Sequence, residues 1–104
     1  MIDSILKNIK EYLGENTDGL ITDVILFGSR ARGNYSETSD YDILLITSRR
    51  LTSHERFHIL DLCYDLDIDN DILMDVHFLP ENEKNTLRGR QPVYRNAIDS
   101  GVYA

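Results

Sequence analysis

With 104 residues and a formal net charge of −7, from 18 acidic against 11 basic side chains, the chain is expected to form one domain spanning residues 1–104. It has a modest core and no room for a separate substrate-recognition domain. The acidic balance disfavours a protein whose affinity rests on neutralising nucleic-acid phosphates, yet remains compatible with a small anionic ligand carried by metal ions. The single cysteine, Cys63, excludes an intramolecular disulfide. No apolar run approaches membrane-spanning length and Met1-Ile2-Asp3-Ser4 lacks the basic-then-apolar pattern of a signal peptide, so a cytoplasmic location is expected.

Ile2, Ile5, Leu6, Ile9, Tyr12 and Leu13 recur at helical spacing, which predicts an amphipathic helix ending near Gly14. Asn16-Thr17-Asp18-Gly19 is a turn signal, and Leu20 to Phe27 follows as a strand broken by Gly28. The polar run from Asn34 to Ser39 predicts a loop, and Tyr41 to Ile46 a second strand. Thr52 and Glu55 match a capping box, after which Phe57, Leu60 and Tyr64 mark a helical face running to about Leu66. Ile72 to Leu79 predicts a third strand, with Met74, Val76 and Phe78 on one face and Asp75 and His77 on the other; Pro80 closes it. Helical segments are expected around Glu81 to Leu87 and Pro92 to Ser100, with Gly101 as a stop signal. This order predicts an α/β (α+β) fold in which helices flank a small mixed β-sheet.

Two motifs carry chemistry. Gly28 and Gly33 have the spacing of P-loop glycines, but Asn34-Tyr35 stands where Lys-Ser or Lys-Thr is required, so a P-loop is excluded. What remains is a tight turn in which Gly28 lets backbone amides approach an anion, Ser29 adds a hydroxyl, and a short helix starts just beyond. Arg30 and Arg32 are candidate phosphate contacts or solvated side chains. Asp40 and Asp42 alternate on a strand, which puts them roughly 6–7 Å apart at the backbone on one face. Two such charges resist joint ionisation unless a cation joins them, and magnesium, which takes one or two carboxylates plus phosphate oxygens, suits so small a donor set. Asp75, between Met74 and Val76, is the candidate third carboxylate and proton acceptor if its strand lies beside that of Asp40; an edge position facing solvent is the alternative.

Other acidic and nucleophilic groups have plainer readings. Asp65, Asp67, Asp69 and Asp71 alternate as in a calcium loop, but neither register supplies the required glycine and closing glutamate, so a solvated acidic connection is expected. His54 and His58 read as surface or packing residues, His77 shares a face with Asp75, and Cys63 reads as a small core residue.

Gly28-Ser29, ten intervening residues and Asp40-x-Asp42 resemble the signature of the DNA polymerase beta-type nucleotidyltransferase superfamily. The short length resembles its minimal nucleotidyltransferase (MNT, MntA-like antitoxin) branch. The likeness runs from Leu26 to Leu45, continues with Asp75, and is echoed by Pro92 to Ile98 with Gly101-Val102-Tyr103. It implies that Gly28 and Ser29 hold a nucleoside triphosphate, that Asp40 and Asp42 bind two Mg²⁺ ions, and that Asp75 joins one metal and acts as base. It also implies transfer of a nucleoside monophosphate, AMP from ATP, to a hydroxyl. Family members of this size accompany a small helical HEPN protein as antitoxin, and some AMPylate a tyrosine on it. Two other readings are kept: a binding module that occludes a partner without catalysis, and a small-molecule (antibiotic) nucleotidyltransferase. Whether the chain self-associates is open.

Overall fold

The computed structural model describes residues 4–36 and 38–104, which leaves Ile2 and Glu37 outside the description. Helix α1 covers Ser4–Asn16 and buries Leu6, Ile9 and Leu13 on one stripe. It runs past Gly14, where the sequence predicts its end. The last carbonyls find side-chain donors instead: Asn16 Nδ2 donates to the Tyr12 carbonyl at 2.7 Å and Thr17 Oγ1 to that of Leu13 at 2.6 Å. The chain reverses only at Asp18 and Gly19, both at positive φ.

Strand β1, Ile21–Phe27, is followed directly by the short helix α2, Gly28–Arg32, and then by strand β2, Tyr41–Thr47. Helix α3, Ser53–Asn70, leads into strand β3, Met74–Pro80. A single 3₁₀ turn, Glu81–Glu83, stands where a longer helix to Leu87 is expected. Beyond that turn the chain folds back until Gly89 lies against the Glu83 and Lys84 carbonyls, with no space for a Cβ. Helix α4, Pro92–Ser100, and the two-residue strand β4, Val102–Tyr103, complete the order. β4 is too short to carry a periodic signal.

The four strands lie in the order β3-β2-β1-β4. β1 pairs antiparallel with β2 and β4, while β2 and β3 run parallel, so the expected mixed sheet flanked by helices is the one observed. One face carries Val24, Leu26, Ile43, Leu45 and Phe78, packed against α1 and α3. The other carries Ile25, Leu44, Ile46 and Leu79, covered by Ala97, Tyr94 and Ile98 of α4. Strands sandwiched in this way read as continuous apolar runs, as Ile43 to Ile46 does.

α3 differs from expectation in two ways. It continues four residues beyond Leu66, because Asp67 Oδ1 accepts the Met74 amide at 3.1 Å and Asp71 closes the helix in the left-handed conformation. The aspartates read as a connection therefore form its last turns. The buried side chains are Ile59, Leu62, Cys63 and Leu66, whereas Phe57, Leu60 and Tyr64 are exposed. The helix is apolar on both sides, and spacing alone does not say which side meets the sheet.

The start of α3 is capped as the sequence predicts. Thr52 Oγ1 accepts the Glu55 amide at 3.1 Å, and Glu55 Oε1 accepts the Thr52 amide at 2.9 Å. Thr52→Ala is expected to cost about 1 kcal/mol, read as a lowered urea midpoint with unchanged slope. Hydrogen bonding from Arg49, aided by the Thr52 amide, pulls the Glu55 carboxyl down from 4.5 to about 2. A depressed carboxyl stabilises the fold above its unfolded value and loses that contribution as pH falls through the folded one. The melting difference between wild type and Glu55→Gln should therefore be constant near neutrality and shrink between pH 4.5 and about 2.

Cys63 is buried, and burial, then the charge of Asp67, pushes its thiol up from 9.0 to about 12. A neutral thiol in the fold and an ionised one in the unfolded chain give stability that is complete below pH 9 and declines above it. Aromatic disulfide reagents at pH 8 should leave Cys63 untouched until denaturant exposes it; rapid labelling of the native chain would contradict its placement.

Candidate active site

Register sets the site. Phe27 of β1 lies opposite Asp42 of β2, and Asp42 lies beside Asp75 of β3, so these residues form a row across three strands on the face that α4 covers farther along. Neighbouring strands are about 4.8 Å apart, which brings the two carboxylates onto one patch. β3 thus lies beside the second strand with Asp75 on the face of Asp42, and it is also the edge strand of the sheet, so both conditions weighed for Asp75 are met. Asp75 is not enclosed by its apolar neighbours, because its side chain is 58% exposed at the mouth of the strand. α4 covers the opposite end of this face and leaves the Asp42 end open.

The next row holds Ile25, Leu44 and His77. His77 Nε2 lies 3.4 Å from Asp75 Oδ2, and its ring meets that of Phe27 at 5.6 Å between centroids, tilted by 58°. The two rings come from the strands on either side of β2. Asp42 is half-buried between them, and burial raises its carboxyl pKa, with further upward pushes from Asp75 and Asp40. His77 and Arg32 act in the opposite direction with less effect. A carboxylate held up by burial and two like charges is suited to a cation.

Gly28 is bound to this row. Its φ is +75°, and a Cβ there would fall inside the Asp42 carboxylate. Both facts require glycine: the backbone is left-handed and the aspartate occupies the space of a side chain. The turn opens α2 at Gly28, next to Asp42, and its N-cap, Phe27, supplies no side-chain hydrogen bond to the first amides. Gly33, at φ +81°, ends α2 one turn later, and the Asn34 amide donates to the Ser29 carbonyl at 3.2 Å.

The two arginines separate. Arg30 turns back into its own chain: its guanidinium lies 4.1 Å from the Tyr41 ring centroid and 4.6 Å from that of Tyr35, and its Nε donates to the Ser39 carbonyl at 3.0 Å. That carbonyl belongs to the peptide joining Ser39 to Asp40, so Arg30 holds the loop that presents Asp40. Arg32 is exposed on the last turn of α2 and is felt electrostatically by Asp42. Asp40 is exposed one residue ahead of β2 and near enough for its charge to raise Asp42.

Asp42 and Asp75 are thus adjacent and Asp40 is within electrostatic reach. Among the described residues, no three His, Cys, Asp or Glu side chains close into a metal-binding cage by themselves. A cation held here would complete its shell with phosphate oxygens or water, as magnesium does in sites with few carboxylates. The donor set of two or three hard oxygens fits that ion. The sequence leaves the role of His77 open, and its place two residues along the same face from Asp75 is the signal that ties it to the site.

Carboxylates in register across two strands, beside a glycine turn that opens a helix, are an arrangement suited to a nucleotide-handling transferase and distinct from a P-loop. The chain belongs to the nucleotidyltransferase domain family, whose model matches residues 6–104. Two proteins of Methanocaldococcus jannaschii, each named "Putative protein adenylyltransferase", are similar to it. One is 34% identical over 73 residues, covering 70% of this chain and 74% of its own. The other is 31% identical over 98 residues, covering 91% and 92%. Among solved structures, a toxin-antitoxin crystallised with AMP-PNP aligns with a TM-score of 0.60 at 21% identity, over 93% of this chain and 70% of that one. A mutant of the MntA-HpeT toxin-antitoxin aligns at 0.61 and 20%, over 100% and 72%. At these identities the structural likeness is one of fold. The resemblance drawn from Gly28-Ser29 and Asp40-x-Asp42 holds, and the chain is a nucleotidyltransferase. Among the described residues no helix is long and apolar enough to cross a membrane.

Proposed function

We propose that this nucleotidyltransferase moves AMP from ATP to a hydroxyl of a partner protein, as the antitoxin of a pair whose other member is a small helical HEPN protein. The row Phe27, Asp42 and Asp75 beside Gly28 carries the reading, because it joins paired carboxylates to a turn that only glycine fits. The names of the two curated relatives support a protein acceptor, and the AMP-PNP complex among the fold neighbours supports ATP. The open site, with Asp75 exposed, favours an acceptor carried on a protein surface over an antibiotic held in an enclosed pocket.

In the proposed reaction, Ser29 and the amides after Gly28 hold the triphosphate against the end of the sheet, with Arg32 at the rim. Asp40, Asp42 and Asp75 would hold two magnesium ions, which when bound neutralise charge on the phosphates and on the carboxylates themselves. The acceptor oxygen forms a bond to the α-phosphorus while the bond from that phosphorus to the bridging oxygen breaks, and pyrophosphate leaves. The hydroxyl proton passes to Asp75, whose exposure makes it reachable by a residue on another protein. His77, with Nε2 3.4 Å from Asp75 Oδ2, is placed to orient that carboxylate.

The test is co-purification with the product of the adjacent reading frame, followed by incubation with Mg²⁺ and ATP labelled in its α-phosphate. Label on a tyrosine of the partner, absent when the metal is chelated, is expected. A stable complex that never takes label would favour occlusion, as would full neutralisation of the partner in cells by an Asp40→Asn/Asp42→Asn double variant.

A further inference from the structure

We infer that the outward side of α3 is a docking surface for an amphipathic helix of another protein, one whose apolar stripe is edged with lysine or arginine. Phe57, Leu60, Tyr64 and Ile68 recur at steps of three and four residues, so they form a ridge about 16 Å long on the side opposite Ile59, Leu62, Cys63 and Leu66. Phe57, Tyr64 and Ile68 are 67%, 65% and 62% exposed. An 18-residue helix that is apolar on both sides behaves as one buried on both sides, and the sheet covers only one.

Charge indicates what covers the other. Asp61, Asp65 and Asp69 follow one another at intervals of four along one edge of the ridge, all exposed. Past that edge, between α3 and α1, Glu11, Tyr12, Glu15 and Asp69 help to line a groove of about 310 Å³ with no basic side chain in its wall. The Tyr12 hydroxyl donates to Asp65 Oδ2 at 3.4 Å and fixes that edge to α1. An apolar ridge beside an acidic trench complements a helix with apolar and basic faces side by side. A second copy would bring another such row of aspartates and another chain of net charge −7, and an anionic lipid surface would be repelled in the same way. The ridge is on the face of the molecule opposite Asp42 and Asp75, so docking there leaves the transfer site open. This rests on the reading that the chain works with a protein partner, but not on transfer itself.

A photo-crosslinking amino acid at position 64 of the full chain, activated in the cells it comes from, tests the surface. The expected adduct joins position 64 to a peptide with apolar residues at helical spacing flanked by Lys or Arg. Its yield should fall at least about tenfold in Asp61→Lys/Asp69→Lys, the scale of opposed like charges at an interface, and remain unchanged in Asp42→Asn. Both aspartates are exposed, and a matching circular dichroism spectrum checks that the variant is folded. Adducts to a second copy, to lipid or to a segment without basic residues would overturn the inference, as would no adduct or equal yield in the charge-reversed variant. If the partner accepts label from ATP but no adduct forms, the surface is wrong and transfer stands. If the expected adduct forms with a partner that never takes label, the surface stands and transfer fails.

Discussion

Asp42→Asn is expected to lower nucleotidyl transfer by about a hundredfold or more while leaving the chain as stable as wild type, or slightly more so. The activity loss follows from position. Asp42 is the member of the row that lies against the glycine turn and is in register with Asp75, and removing one preorganised charge at a site of developing charge costs about 10²–10³ in rate. The stability effect has the opposite sign because burial and the charges of Asp75 and Asp40 all penalise the ionised carboxyl, a cost that a neutral amide of the same shape does not carry. Melting and label transfer, measured on one preparation, check both halves. A variant that lost stability and activity together would mean that Asp42 is chiefly a structural residue.

Gly28→Ala is expected to damage both. A left-handed φ costs a Cβ-bearing residue about 1–2 kcal/mol, and the methyl group would also displace the Asp42 carboxylate. The aspartate must rotate away from Asp75 or the turn must open, and either separates the triphosphate turn from the carboxylates. A melting point lowered by several degrees with transfer near background is the expected pair. Gly33→Ala, at a similar φ but with open space around it, serves as the control. It should share the backbone cost and retain much more of the transfer, which isolates the contact with Asp42 from strain.

The contrast between these glycines shows what was legible beforehand. The strand runs, the capping box at Thr52 and the face shared by Asp75 and His77 could be read from local pattern, because apolar periodicity and capping chemistry are local properties. The row Phe27, Asp42, Asp75 could not. It depends on β2 and β3 being parallel neighbours in one particular register, a long-range fact that neither strand encodes by itself. The close approach of Gly28 to Asp42 follows from a second long-range register, the antiparallel pairing of β1 with β2 that sets Phe27 opposite Asp42. The buried face of α3 is illegible for a different reason: Phe57, Leu60 and Tyr64 are as apolar as Ile59, Leu62 and Leu66, so the pattern offers two faces and only the sheet selects one. The ends of α1 and α3 lie beyond their expected positions because side chains supply what the backbone lacks, Thr17 and Asn16 in one case and Asp67 in the other. Arg30 also changed role. Its charge suggested phosphate, but two tyrosine rings and the Ser39 carbonyl hold it on the loop before Asp40.

The central claim is that a divalent cation and a triphosphate sit together at the open end of the sheet, between the α2 turn and the paired carboxylates. Titration of the isotopically labelled chain with ATP and a trace of Mn²⁺, followed by amide relaxation, tests it most directly. Selective broadening of Gly28, Ser29, Asp40, Asp42 and Asp75, lost in Asp42→Asn, is the predicted result. Broadening centred on the acidic edge of α3, or none at any ATP concentration, would contradict it.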